Sequence, residues 1–342
     1  FSTSDLEQLS PSELLHRIDE ILNLLKQATF FSILAPLSAS LRKAIGKIPD
    51  DQLDNSDTPE VAALRELQQL AMAARQVLGQ EQELRSPLSS SPSTLFDQLA
   101  KTPAGEGVLQ QFEQFLDRYG YLSEVGTDIA VSTWKEDPEP VRKLLTQFCL
   151  EPPPASPLPR LQSSKVRGVQ RRIRLKGQVT EIYSRLLAEL RWCFVALEKR
   201  WLELGWLLQP GDIFFLKFDE IRAWVEGERQ TIAARETILP IVVQRQAQLE
   251  NDRQLASVPY LVYGEDPPEP ILRSFNQQAT QHLQGIGASP GRAEGRVRVV
   301  RSLANLPEID RDTILVVPYT DSGWAPLLAR AGGLIAEVGG RL

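Results

Sequence analysis

Apolar residues recur at helical spacing over most of the chain before Gly285, and short strand-like runs take over after it. Ser10-Pro11-Ser12-Glu13 reads as a capping-box start, with Ser10 at N-cap, Pro11 at N1 and Glu13 at N3. Leu14, Leu15, Ile18, Ile21, Leu22 and Leu25 then fall on one face of the helix it opens. Thr58-Pro59 opens a second helix, with Val61, Leu64, Leu67 and Leu70 facing inward. A third is predicted from about Leu95 to Tyr119, broken by Tyr119-Gly120-Tyr121. Asp137-Pro138 caps a fourth, whose inner face is Val141, Leu144, Leu145 and Phe148. A long helix follows from roughly Arg167 to Leu204. Gln209-Pro210-Gly211-Asp212 is a turn, and Ile213-Phe214-Phe215-Leu216 reads as a short buried strand. Asp219 should cap a helix through Val225. Residues 230–254 look helical, with Pro240 expected to kink or start that helix.

From Gly285 the period shortens. Residues 295–300 and Thr313–Val317 read as strands, 322–331 as a helix and 333–338 as a third strand. The order β, β, α, β suggests a small α/β unit. The fold class expected is therefore mainly α, a helical region followed by an incomplete β/β/α-type α/β domain. Three segments read as connections: 85–94 (RSPLSSSPST), 151–161 (EPPPASPLPRL, five prolines) and 264–270 (GEDPPEP). They suggest a first helical lobe at 1–150, a second at 151–275, and the N-terminal part of a further domain at 276–342.

The chain has 342 residues, enough to bury a large core without a disulfide or metal staple. Thirty-eight basic against 44 acidic residues give a net charge of -6, which offers no support to a nucleic-acid binder. Cys149 and Cys193 form no CxxC, so neither a thiol-redox motif nor a zinc site is suggested. The longest apolar run, 28–37, is interrupted by Ser32 and Pro36 and falls short of the roughly 18–20 residues a bilayer needs. No membrane span and no signal peptide are read, and a cytoplasmic location is the expectation. The first residue is Phe1 and the last is Leu342 in a glycine-rich stretch, so the sequence reads as a fragment of a longer protein.

Each candidate motif has a bland alternative. Residues 285–291 (GIGASPG) precede a strand rather than a helix, so sharp turns explain their glycines better than a nucleotide loop does. Arg167, Arg171 and Arg174 share one helix face, either for phosphate contact or domain docking, or as a solvated face, which is the reading preferred. Trp192, Trp201 and Trp206 are expected in the core. His16 and His282 are the only histidines, and neither has a cysteine or second histidine at ligand spacing. No GxSxG, HExxH or P-loop occurs. The residues alone contain no complete active site and no metal site.

Residues 287–291 (GASPG) with 294–297 (EGRV), 314–317 (ILVV) with 320–326 (TDSGWAP), and 331–340 (AGGLIAEVGG) resemble the phosphohistidine swivelling domain of phosphoenolpyruvate-utilising enzymes. Tyr119-Gly120-Tyr121, Asp128, residues 134–138 (WKEDP) and 211–216 (GDIFFL) with Glu220 resemble the helical region of phosphoenolpyruvate synthase-like and rifampicin phosphotransferase-like members. Tyr121-Leu122-Ser123 departs from a His-Arg-Gly type of sequence in that family. The resemblance implies that Gly339 and Gly340 approach a phosphohistidine loop. Its catalytic histidine would lie two residues beyond Leu342.

The resemblance further implies an ATP-dependent phosphotransferase acting through phosphohistidine. It would be pyruvate, water dikinase-like or a small-molecule phosphotransferase. ATP and Mg²⁺ would be held by an ATP-grasp domain of the same parent chain, with pyruvate, phosphoenolpyruvate or another small molecule as acceptor. The fragment itself would then be inactive, with residues 151–161 and 264–270 as places for motion. The alternative is a non-catalytic helical scaffold or partner-binding protein derived from the family. The bare strand edges of the last segment predict poor local stability there.

Overall fold

The computed structural model describes residues 3–49, 53, 58–79, 92–150, 164–227, 233–253, 285–288, 291–303 and 307–338. The expected connections at 151–161 and 264–270, His282, and Gly339 with Gly340 lie outside the described residues, as does most of 85–94. The described elements are mainly helical, with one small sheet near the C-terminus, as the periodicity requires. They fall into two compact units, one of residues 1–19 and 192–287, the other of 20–191 and 288–342.

In the first unit α1 spans Thr3–Gln8, and α2 begins at Pro11 in a helix that extends to Gly46. The capping box forms as read: Ser10 N–H donates to Glu13 Oε2 at 2.7 Å, and Glu13 N–H donates to Ser10 Oγ at 3.3 Å. These bonds hold the Glu13 carboxyl below its ordinary range. Leu14, Leu15 and Ile18 are buried on the predicted face. Trp201 and Trp206 are core residues whose rings meet at 5.6 Å, and Trp206 meets Trp224 at 6.3 Å.

The strand read at Ile213–Leu216 is instead a 3-10 helix, Asp212–Phe215. Carboxylates wind this segment. Asp212 Oδ2 accepts from the Leu208 and Gln209 amides at 3.0 and 2.9 Å. Glu198 Oε1 accepts from the Gly211 and Ile213 amides at 2.8 and 3.0 Å. Gly211 supplies the left-handed φ of 97° that the turn needs. The following helix, α8 (Phe218–Glu226), starts after Lys217, so Asp219 lies inside it rather than at its cap. Glu220 closes that start by accepting from Lys217 N–H at 2.7 Å. α9 (Ala233–Arg253) carries Pro240 inside it. Arg245 of α9 forks onto Glu220 at 2.7 and 2.8 Å and holds that carboxyl below its usual range.

In the second unit α3 (Pro59–Leu78) packs against α5 (Pro103–Tyr119) and α6 (Glu139–Leu150). Leu67 and Leu70 of α3 are buried as expected, but Val61 and Leu64 are only half-buried. Ala63, Ala71 and Ala74 complete its inner face, letting its neighbours approach closely. The single helix predicted over 95–119 is two, α4 (Pro92–Leu99) and α5. The break was written at Thr102-Pro103. Thr102 accepts from the Gly105 amide at 3.1 Å, and Pro103 takes the first turn, where no amide is needed. α6 follows its prediction, with Val141, Leu144, Leu145 and Phe148 fully buried.

The long helix α7 runs Ser164–Glu203. Arg167, Arg171 and Arg174 are exposed along it. Both cysteines are buried free thiols, and burial pushes the Cys149 thiol up to about 12.

α2 is longer than the ten-residue run suggested. Its 36 residues include an 18-residue window of mean hydropathy 1.2, 17% of it buried. By length and composition alone this helix is long and apolar enough to cross a membrane. Phe30, Phe31, Ile33, Leu34, Leu37, Leu41 and Ile45 are all exposed along it, from 46% to 75%.

The C-terminal strands are β1 (Arg296–Val299), β2 (Thr313–Val317) and β3 (Gly333–Ala336). They form one parallel sheet in the order β1-β2-β3, with Val297 opposite Ile314 and Leu315 opposite Leu334. β2, the central strand, alternates between buried and half-buried positions, whereas β1 is exposed at all four of its positions and β3 at three of its four. The helix predicted over 322–331 is a 3-10 turn, Ser322–Trp324, running into a short α10, Ala325–Leu328. α10 and that turn pack on α3.

Candidate functional site

The site is built on residues 120–136, the connection between α5 and α6. Its two arms are tied to each other. Trp134 N–H donates to Leu122 O at 2.8 Å, Lys135 N–H donates to Gly120 O at 2.9 Å, and Ser123 bridges Thr133. Its floor is an ion pair. Arg191, 9% exposed, donates from Nε to Glu136 Oε2 at 2.7 Å, from Nη1 to Ile129 O at 2.8 Å and from Nη2 to Ser132 Oγ at 3.3 Å. Glu136 Oε2 also accepts from the amide and hydroxyl of Thr133, at 3.0 and 2.9 Å. Three donors on one carboxylate oxygen fix the connection without a regular element. Asp128 stays local, accepting from the Ala130 amide at 2.8 Å.

Against this connection rests the carboxyl end of the three-stranded sheet. Glu124 Oε2 accepts from Ser302 Oγ at 3.0 Å and from Leu303 N–H at 3.1 Å, both just beyond β1. The Glu124 carbonyl accepts from Trp324 Nε1 at 3.1 Å, and Trp324 is fully buried. Asp321, beyond β2, accepts at Oδ2 from the Gly126 amide at 2.8 Å. Gly323 lies so close that a Cβ there would stand 2.2 Å from Ser123 O. Burial, with Glu124, Asp321 and Asp128 nearby, raises the Tyr319 phenol above its ordinary value. On the far side Arg330 donates to Ile309 O and to Gln147 O, both at 2.9 Å, with its guanidinium 5.6 Å from the Phe148 ring centre.

The structure thus brings together two segments that were read far apart, 119–138 and 320–326. Tyr121, Leu122 and Ser123, where the sequence departs from the family pattern, are 5%, 2% and 5% exposed. Arg185 covers the Tyr121 ring at 4.3 Å. They are packing residues here. Sequence reasoning missed Glu124, Gly126, Arg191 and Arg330. Arg191 and Arg330 sat in helical patterns as ordinary cations, and a partner 178 residues away leaves no local signal.

Among the described residues no group of three or more His, Cys, Asp or Glu could hold a metal ion. Residues 285–288 and 291 are exposed and lead into β1 rather than a helix. His16 is exposed on α2. The bonds in this arrangement hold the three-stranded sheet against the connection between α5 and α6.

Sequence comparison places the chain among the phosphoenolpyruvate-utilising enzymes. Residues 30–202, about half of the chain, match the rifampicin phosphotransferase fourth domain, and the chain belongs to that family. A prodigiosin synthesizing transferase of Serratia marcescens is 24% identical over 68% of this chain and 28% of its own length. A rifampicin phosphotransferase of Streptomyces sviceus is 25% identical over 71% of this chain and 30% of its own. A probable phosphoenolpyruvate synthase of Methanothermobacter thermautotrophicus is 41% identical over 58 residues, 17% of this chain and 8% of its own. The chain thus spans less than a third of the length of these relatives.

Proposed function

We propose that these residues are the acceptor-side helical region, with part of the travelling carrier domain, of an ATP-dependent phosphotransferase. In the parent protein an imidazole nitrogen attacks the β-phosphorus of ATP, the α–β phosphoanhydride bond breaks with AMP as the leaving group, and the γ-phosphate passes to water. The nitrogen–phosphorus bond then breaks as an acceptor oxygen takes the phosphoryl group. ATP and Mg²⁺ belong to another domain of that protein, and the carrier histidine lies two residues beyond Leu342. The observation that carries this reading is the match over 30–202. The β/β/α/β unit seated on residues 120–136 supports it. Residues 1–342 alone would give no turnover.

The small-molecule branch is favoured over pyruvate by the extent of the matches: residues 30–202 match the rifampicin phosphotransferase fourth domain, whereas 58 residues match a probable phosphoenolpyruvate synthase. The test is ATP consumption by the complete parent protein with pyruvate, and separately with small-molecule alcohols. Turnover with the alcohols and not with pyruvate is expected. Turnover with pyruvate alone contradicts the acceptor assignment.

A further inference from the structure

We propose that Glu124 is the latch that holds the C-terminal α/β unit onto the helical region. Opening its bonds is then the step that frees that unit to travel. The proposal rests on the carrier reading for the word travel, and on geometry for the latch.

Glu124 contacts the sheet through two different groups. Its carboxylate takes one hydroxyl and one amide just after β1, and its carbonyl takes the indole after β2. Gly126 adds an amide bond to Asp321. A single short stretch of residues 120–136 therefore clasps both connections at the carboxyl end of the sheet. That is also the end at which β3 exits, through Val338 bonded to Pro318 O, toward Gly339. Ligand chemistry in open parallel sheets lies outside the carboxyl ends of the strands. The clasp therefore covers the end of the sheet that a carrier has to present elsewhere.

The clasp is made of polar bonds that water can replace, so it can open without unfolding either side. The connection itself stays rigid when it opens, because Arg191, Glu136 and Thr133 hold it from below. Trp324 and Leu303 are buried apolar anchors at the clasp, and α10, with Arg330 bonded to Gln147 O, adds a further contact with the helical region.

The test is hydrogen exchange by mass spectrometry on the 342-residue chain and two variants. Glu124→Ala removes the carboxylate acceptors. Gly323→Ala pushes the contact apart from the other side while leaving Glu124 in place. Both variants are expected to raise exchange about tenfold in peptides covering residues 121–131 and 300–303, a size set by charge-assisted bonds. Exchange in α5 and β2 should stay unchanged, and Glu124→Gln, which keeps one acceptor oxygen, should fall between. Unchanged exchange at 121–131 in Glu124→Ala overturns the latch. So does a rise spread equally over α5 and α6, which marks a merely structural residue. This readout needs no phosphoryl chemistry, so the carrier reading stands or falls separately, on phosphorylation of the parent protein.

Discussion

At the scale of single residues, the site depends on groups whose partners are distant in sequence. Arg191 is the clearest case. Its guanidinium sits 9% exposed against Glu136 at 19%, and it also feeds Ile129 O and Ser132 Oγ. Removing it leaves a partly buried carboxylate with only Thr133 as donor. Arg191→Ala is expected to destabilise the second unit by about 3 kcal/mol, and Arg191→Lys by about half of that, because an ammonium keeps the charge but lacks the fork. Thermal unfolding followed by circular dichroism checks both. Equal losses for the two variants would mean that the fork contributes nothing. None of this was legible in the sequence, where Arg191 is one cation in a helix rich in Arg. Ser10 and Glu13 were legible because both partners lie within one turn.

At the scale of elements, local signals were read well where they were strong and neglected where a longer pattern overran them. The four inner positions of α6 came out as predicted because Asp137-Pro138 fixed its start. The 95–119 helix was overrun: apolar spacing continued across Thr102-Pro103, and the capping signal there was passed over. The 3-10 turn at Asp212–Phe215 was invisible for a different reason. It is wound by Glu198, thirteen residues upstream on a helix, and four consecutive apolar residues without that partner read as a strand. The tight corner between α4 and α5 gives a direct check. A Cβ at Gly105 would stand 2.0 Å from Leu99 O. Gly105→Ala therefore has to push the two helices apart despite alanine's better helix propensity, and should lower stability by about 2 kcal/mol. Gly107 has open space around it, so Gly107→Ala in the same helix is expected to be neutral or stabilising. Equal melting temperatures for the two variants would contradict the close contact.

At the scale of the whole molecule, helical bulk and a small sheet divide the work. The mainly α composition with a C-terminal β/β/α/β unit was legible from the change of period at Gly285, since strand and helix spacing differ by construction. The family followed from short motifs clustered at 119–138 and 287–340. The meeting of those two clusters was not legible, because it depends on how the chain returns to α3 after more than a hundred intervening residues. Nor was the exposed apolar row of α2, since helical spacing marks an apolar stripe but not what covers it.

The central claim is that this chain serves a protein that carries phosphoryl groups on histidine. The most direct measurement is labelling of the complete parent protein with ATP labelled at its β-phosphorus, followed by treatment of the denatured protein with acid or with base. The account predicts a label that survives base, is lost in acid and maps to a histidine two residues beyond Leu342, with none on residues 1–342 expressed alone. A label stable in acid, a label within residues 1–342, or no label on the parent protein would contradict it.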